Sequence, residues 1–385
     1  MSARRSWRDV AVSLAAPVLA LAFAALIAAV VLVVSGYSPG TTLAQMVDYA
    51  AQPRTETLIL NTATYYYLSA VAVAIGFRMN LFNIGVDGQY RLAAMLAAAA
   101  GGALHLPPVV HVAVIVVVAM LVGAMWSAIA GVLRAYRGVS EVISTIMLNA
   151  ISTAVIAYLL TPGRLAVSVV GSNNIGTRPL PPSGQMPGLD LVPGSPLPVF
   201  GFLLVAVVVG VAYSVLLNRT RFGFDLRATG QSETAAVASG VNVKRMIITT
   251  MILSGAVAGL VGMPQLLGQS YSYSLDFPTG IGFTGIAIAL LGRNHPVGIA
   301  LGSLLWGFLD QSSQILDLEG VPKEIVTIIQ GATVLSVVVA YELVRRYRLV
   351  AEQRRVGSAD ADGAGPDGPT TPAVGAAGTA TEASA

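Results

Sequence analysis

The segment Phe77–Gly88, FRMNLFNIGVDG, places Asn80, Asn83 and Asp87 beside long apolar runs. Polar side chains in such a setting are costly, and they face a bundle interior or an aqueous path. Asp87 and Arg91 are four residues apart in the acid-first order, so they can pair on one helix face. Gln89 lies two residues beyond Asp87, and Asn149 is another amide set inside an apolar run. Asn80, Asn83, Asp87, Gln89 and Asn149 therefore allow two readings: buried structural partners that cap a helix, or contacts to a solute along a translocation path. Gly85 and Gly88 suit close helix approach or a local break.

A second constellation is Asn218–Arg245, NRTRFGFDLRATGQSETAAVASGVNVKR, a polar stretch with basic ends between two apolar segments. Ser232 suits a helix N-cap, Glu233 the first turn, Thr234–Ser239 an Ala-rich body, and Gly240 a stop. A helix of about two turns is marginal alone and needs packing, on its own membrane domain or in a partner's groove. A third stretch, Gly280–Gly302, carries glycines fit for a helix crossing and an Arg293-Asn294-His295-Pro296 break. Tyr65, Tyr66, Tyr67, Phe82, Tyr271 and Tyr273 can stack on a planar ligand, or anchor span ends at the membrane interface.

No phosphate-binding GxxxxGK[ST] loop or HExxH pair occurs, and there is no cysteine. The expectation is a protein that is not an enzyme, with no cofactor or metal in this chain. Energy for uphill movement must then come from ions or from another subunit.

The elements that hold these residues are membrane spans. Apolar residues make up 55% of the 385-residue chain and charged residues 11%. A soluble domain carries about 25% charged residues, so this chain cannot clothe a water-facing surface. A span needs about 20 apolar residues, and candidates fall at 10–34, 58–77, 82–104, 109–133, 139–160, 198–217, 246–267, 280–292, 296–312 and 325–343. The pair 280–312, broken at Pro296, reads as two spans or one re-entrant hairpin. The expected fold class is an all-α polytopic membrane protein with about ten transmembrane helices and both termini cytoplasmic.

Charge supports that sidedness. Arg4, Arg5, Arg8, Arg78, Arg134, Arg137, Arg219, Arg221, Arg227, Lys244, Arg245, Arg293, Arg345, Arg346 and Arg348 fall on one side, against Arg54, Arg164, Arg178 and Lys323 on the other. Basic residues at span ends rather than along one stripe give no sign of nucleic-acid binding. The expected organisation is a cytoplasmic N-terminus at 1–9 and a transmembrane domain at 10–345. Within that domain lie an external Pro/Gly-rich loop at 161–197, a spacer or a lid, and a cytoplasmic loop at 218–245. The tail at 346–385 is expected to be cytoplasmic and mostly disordered.

Three ordered motifs resemble a known family. Phe82–Gln89, FNIGVDGQ, resembles the FNIGVEGQ segment of inner-membrane permeases of ABC importers in the branched-chain amino acid/ribose/nucleoside group. Arg227-Ala228-Thr229-Gly230-Gln231 through Ala235, Ala236 and Gly240 resembles that group's loop signature, and Phe283–Asn294 resembles its G-F-x-G-I-A-V-A-L-L-G-R-N segment. The longer permease of simple-sugar/nucleoside importers is the nearest in pattern. The resemblance implies a vitamin B12/ribose-permease-like fold in two inverted halves, in a bacterial plasma membrane. It implies coupling to a cytoplasmic ABC ATPase through Arg227, Gly230, Glu233, Ala235, Ala236 and Gly240, with ATP and Mg bound by that ATPase. A second homologous permease subunit and a substrate-binding lipoprotein are the other expected partners. The departure is Asp87 in place of the usual Glu. Alternatives are an ion-coupled secondary transporter, which needs deep acids such as Asp87 or Asp310 as ion sites, and an ABC permease for another small polar solute such as a branched-chain amino acid.

Overall fold

The computed structural model describes residues 22–168, 174–318, 322, 324–336, 339 and 346. The expected N-terminus at 1–9, the first half of span 10–34, and the tail beyond Arg346 lie outside the described residues.

Helices dominate. In chain order they are α1 (Ala22–Val34), α2 (Pro39–Ala50), α3 (Pro53–Phe77), α4 (Val86–Ala103), α5 (Pro108–Arg137), α6 (Glu141–Leu159), α7 (Phe202–Arg219), α8 (Arg221–Gln231), α9 (Glu233–Ala238), α10 (Val243–Gly259), α11 (Met263–Gln265), α12 (Ile281–Leu291), α13 (Pro296–Leu318) and α14 (Glu324–Ser336). Proline opens α2, α3, α5 and α13, where its fixed φ fits and its missing N–H costs nothing. At the other end of α5, Gly138 takes φ +66° and stops the helix.

Five helical segments among the described residues are long and apolar enough to cross a membrane: α3, α5, α6, α7, and α10 with its continuation to Ser270. Burial ranks them. In the most apolar stretch of α3 and of the α10 segment 72% of residues are buried, against 22% in α5 and 28% in α6 and α7. So α3 and α10 form the centre, and the other three turn most of their apolar side chains outward, as lipid-facing helices do.

Several boundaries differ from the sequence expectation. Residues 35–57, expected as a mixed loop, contain α2, which bends 112° from α1. The third span begins at Val86 rather than 82, because residues 81–85 run non-helically back into the bundle. A Cβ at Gly76 would lie 2.7 Å from the Leu81 carbonyl oxygen, so this returning segment lies directly on the end of α3. The stretch 280–312 holds two helices of unequal length, α12 of 11 residues and α13 of 23. At 11 residues α12 is about 16 Å long, half the bilayer core. Residues 271–280, which precede it, are not helical.

The ends of the bundle are chemically distinct. At the basic end Arg78 donates to the Asn294 carbonyl at 2.8 Å, Tyr213 donates to the same oxygen, and Arg134 pairs with Glu141 at 3.4 Å. At the opposite end, residues 161–168 and 174–200 pack on the helices. A two-residue antiparallel pair, β1 (Val167–Ser168) with β2 (Ile175–Gly176), lies there. The Thr177, Leu180 and Met186 amides bond the carbonyls of Tyr273, Tyr271 and Leu267. This segment covers the non-helical stretch at 271–280.

Helix α5 crosses α10 on small residues. A Cβ at Gly123 would lie 2.2 Å from the Gly255 carbonyl oxygen, and one at Gly259 would lie 2.1 Å from that of Ala119. Such spacing lets backbones touch, and van der Waals packing then drives association within lipid.

Candidate functional site

Two neighbouring regions gather the polar residues singled out above. The first is a junction of helix tips inside the bundle. Helix α4 starts at Val86 and runs away from the basic end; α12 starts at Ile281 and runs toward it. Their N-termini meet. A Cβ at Gly282 would lie 2.3 Å from the Asp87 amide nitrogen, and one at Gly285 would strike the Ser69 hydroxyl on α3. Only glycine permits this approach.

Two helix N-termini concentrate unpaired N–H groups and positive dipole ends. Asp87 answers that charge. Its Oδ1 accepts from the Gly280 amide at 2.8 Å and the Gly282 amide at 3.4 Å. Its Oδ2 lies 3.8 Å from Arg91 Nη1, the expected i, i+4 pair. The motif showed the pair; the cap on α12, nearly two hundred residues away, had no local signal. Tyr90 adds a bond from its hydroxyl to the Pro278 carbonyl at 2.7 Å, and Ser69 bonds that of Ile281 at 2.9 Å.

The amides brace the returning segment. Asn83 and Gln89 exchange reciprocal side-chain bonds of 2.9 Å, and Asn83 also donates to Ser254, which donates to the Ala72 carbonyl. Asn149 on α6 accepts from the Gly88 amide and donates to the Ile84 carbonyl, both at 2.9 Å. Asn83, Gln89 and Asn149 thus spend their hydrogen-bonding groups within the chain. Asn80 stands apart from these three. It has φ +55° and donates outward to the Gly230 carbonyl at 2.6 Å.

That bond leads to the second region, a platform at the basic end. Residues 218–245, read from sequence as a loop with one short helix, hold two. Helix α8, missed in the sequence, is capped by Thr220, whose hydroxyl accepts from the Gly223 amide at 3.0 Å. Helix α9 begins at Ser232, which accepts from the Ala235 amide at 3.2 Å, and it ends before Gly240 at φ +84°. Among the six residues singled out here, Arg227 bonds the Leu217 carbonyl and Ala236 is buried. Gly230 lies flat on the 78–79 backbone, where a Cβ would be 2.5 Å from the Arg78 carbonyl oxygen. Those three seat the platform. Glu233, Ala235 and Gly240 are exposed. Phe224 and Val237 add large apolar surface, 65% and 61% exposed, which the sequence reading did not single out.

The aromatic residues are mostly used internally. Tyr273 stacks on Phe277 at 4.7 Å, Tyr65 meets Tyr66 edge-on at 4.9 Å, and Phe82 packs on Phe77.

Comparison with known proteins gives this geometry a context. Residues 57–338 match the family described as branched-chain amino acid transport system / permease component. The chain is 32% identical to the guanosine ABC transporter permease protein of Bacillus subtilis, over 85% of this chain and 93% of the relative. It is 32% identical to the glucose ABC transporter permease protein of Haloferax volcanii, over 81% and 83%. It is 29% identical to a nucleoside ABC transporter permease protein of Lactococcus lactis, over 84% and 90%. No solved structure gives a match. Together with its apolar helices, these matches make the chain a multi-pass membrane transport component rather than an enzyme, and it belongs to the branched-chain amino acid transport system / permease component family.

Proposed function

We propose that this chain is the permease subunit of an ATP-driven importer in the plasma membrane, forming the path for nucleosides or related simple sugars. The observation that carries the reading is the seated platform, with Asn80 bonded to Gly230 and Gly230 pressed on Arg78. A transporter driven by a separate ATPase needs a rigid, exposed element joined to its moving parts, and α8–α9 has that form. The 78–80 turn continues directly into residues 81–85 and the Asp87 junction, so displacement of the platform bears on the point where two discontinuous spans meet.

In this reading the chain crosses the membrane about ten times with both termini in the cytoplasm, the basic end facing inward. ATP and Mg belong to a partner ATPase that docks on Glu233, Ala235 and the surface around them. A lipoprotein delivers solute to the opposite end, and a second homologous permease completes the path. The two helix tips meeting inside the bundle fit alternating access between inverted halves, in which broken spans meet within the bilayer.

The ion-coupled alternative needs a deep acid free to take up an ion. Asp87 is committed to two amides and Arg91, which leaves Asp310 as the acid that reading would need. The test is uptake of labelled nucleosides and sugars into vesicles holding the assembled complex. Accumulation that requires ATP and survives collapse of ion gradients supports the proposal; accumulation that persists without ATP and collapses with the gradient refutes it.

A further inference from the structure

Arg91 is a charge in an unusual place. It lies twelve residues from the α4 end at Ala103, about 18 Å along the helix. Its partner Thr153 lies twelve residues into α6 from Glu141, again about 18 Å. Both are therefore near mid-depth of the bundle. The guanidinium is held from its inner side by Asp87 at 3.8 Å. On the outer side Nη1 reaches the Thr153 hydroxyl at 3.2 Å. Its Nε is buried with no partner among the described residues, and the side chain as a whole is 18% exposed.

The face onto which it opens is lined by small residues around one hydroxyl, with Ile146, Ile151 and Tyr158 exposed at its edges. Along one stripe of α6, Ala150, Thr153 and Ala157 are exposed, and Asn149 is half-buried beside them. Other outward faces of the bundle are built differently: α5 turns Val117, Leu121 and Met125 outward, large and apolar, as lipid requires. A guanidinium at mid-depth is too costly against hydrocarbon; such groups face a water-filled cavity or the bundle interior. Arg91 has no further interior to face, because α4 and α6 already flank it.

We propose that the α4–α6 face around Arg91 and Thr153 borders the aqueous path, and that Arg91 is the side chain that meets the solute there. The inference rests on the permease reading above. An arginine held by one carboxylate, with donors to spare, suits oxygen acceptors on a neutral, polyhydroxylated or carbonyl-bearing solute, such as a sugar ring or a nucleobase. Asp87 then has two tasks, capping α12 and aiming Arg91.

The chain has no cysteine, so single-cysteine variants report cleanly. Thr153→Cys and, as a lipid-facing control, Leu121→Cys are prepared in the assembled transporter. Each is treated with a charged, membrane-impermeant methanethiosulfonate reagent, with and without a saturating labelled nucleoside or sugar that the transporter imports. The expected result is labelling at Thr153→Cys at least tenfold faster than at Leu121→Cys, slowed by solute, with import lost once the cysteine is modified. Arg91→Gln and Arg91→Lys are assayed in parallel. Arg91→Gln should raise KM about tenfold or more, the factor carried by one charge-assisted hydrogen bond, with Arg91→Lys recovering part of it. A Thr153→Cys as inert as Leu121→Cys overturns the proposal, as does an unchanged KM in Arg91→Gln. Failure of the unmodified transporter to accumulate solute with ATP would instead refute the permease reading, while the labelling still reports whether water reaches this face.

Discussion

The Asp87 carboxylate accepts a 2.8 Å hydrogen bond from the Gly280 amide, joining the first turn of α4 to the start of α12. One residue thereby neutralises the N-terminal ends of two helices that run in opposite directions. Without an acceptor there the N–H groups at the start of α12 would be left unpaired inside the bundle. The acid sits at the end of a continuous chain of contacts that starts at Gly230 on the platform and passes through Asn80 and the 81–85 segment.

Replacing Asp87 tests this dual role. Asp87→Ala leaves Gly280 without its acceptor and Arg91 without its counter-charge, a loss of about 3 kcal/mol or more. Asp87→Asn keeps an acceptor for the amides but removes the charge, and should cost less, about 1–2 kcal/mol. Thermal unfolding of the purified protein in detergent should rank wild type, Asn and Ala in that order. An Asn variant as unstable as Ala would show that charge, rather than hydrogen bonding, carries the junction.

The α5–α10 crossing gives a second prediction. Gly123, Gly255 and Gly259 bring two backbones into contact, with a Cβ at Gly255 only 2.4 Å from both the Gly123 carbonyl oxygen and the Ser127 Cβ. Neither helix can yield without separating. Gly255→Leu should cost about 3 kcal/mol or more and yield little folded protein. By contrast Gly331→Ala meets open space and should be neutral within about 0.5 kcal/mol. Membrane expression followed by size-exclusion profiles would separate the two.

Glu233 and Gly230 should fail in different ways. Glu233 is exposed at the start of α9, so Glu233→Arg should leave folding unchanged and weaken co-purification with the ATPase. Any side chain at Gly230 strikes the Arg78 carbonyl, so Gly230→Trp should unseat the platform and lower both thermal stability and ATPase binding. Asn80→Ala removes only the 2.6 Å tie. It should leave ATPase binding near normal but reduce transport per ATP hydrolysed, measured in vesicles. Equal behaviour of Glu233→Arg and Gly230→Trp would remove the distinction between seating and docking residues.

The sequence showed local and periodic features well. Ser232 and Gly240 bounded α9 because caps and stops act within one turn, and the acid-first spacing of Asp87 and Arg91 made their pairing legible. The Gly255–Gly259 pair was not singled out in the sequence, because nothing local names α5 as its partner. Helix α8 escaped because its buried Gly223, Leu226 and Thr229 leave a weak apolar stripe between charged neighbours. The half-length α12 was ambiguous, since eleven apolar residues fit either a short span or a hairpin arm. Its placement depends on Gly282 and Gly285 meeting Asp87 and Ser69, which are distant in sequence.

The exposed apolar pair on the platform supplies the last prediction. Phe224 and Val237 stand on α8 and α9 with more than half their surface open, although they flank charged residues on the water-facing end of the bundle. Large apolar groups so placed mark an interaction surface, and a few buried anchors carry most of the binding energy there. Val237→Asp should therefore cut ATPase affinity by about tenfold or more, because it carries an unpaired charge into the interface. Ser232→Ala should act more mildly, removing the α9 cap at a cost of about 1 kcal/mol and lowering affinity through a less ordered helix. Binding of purified ATPase to the permease in nanodiscs would read both. Unaltered affinity in Val237→Asp would place the docking surface elsewhere on the basic end.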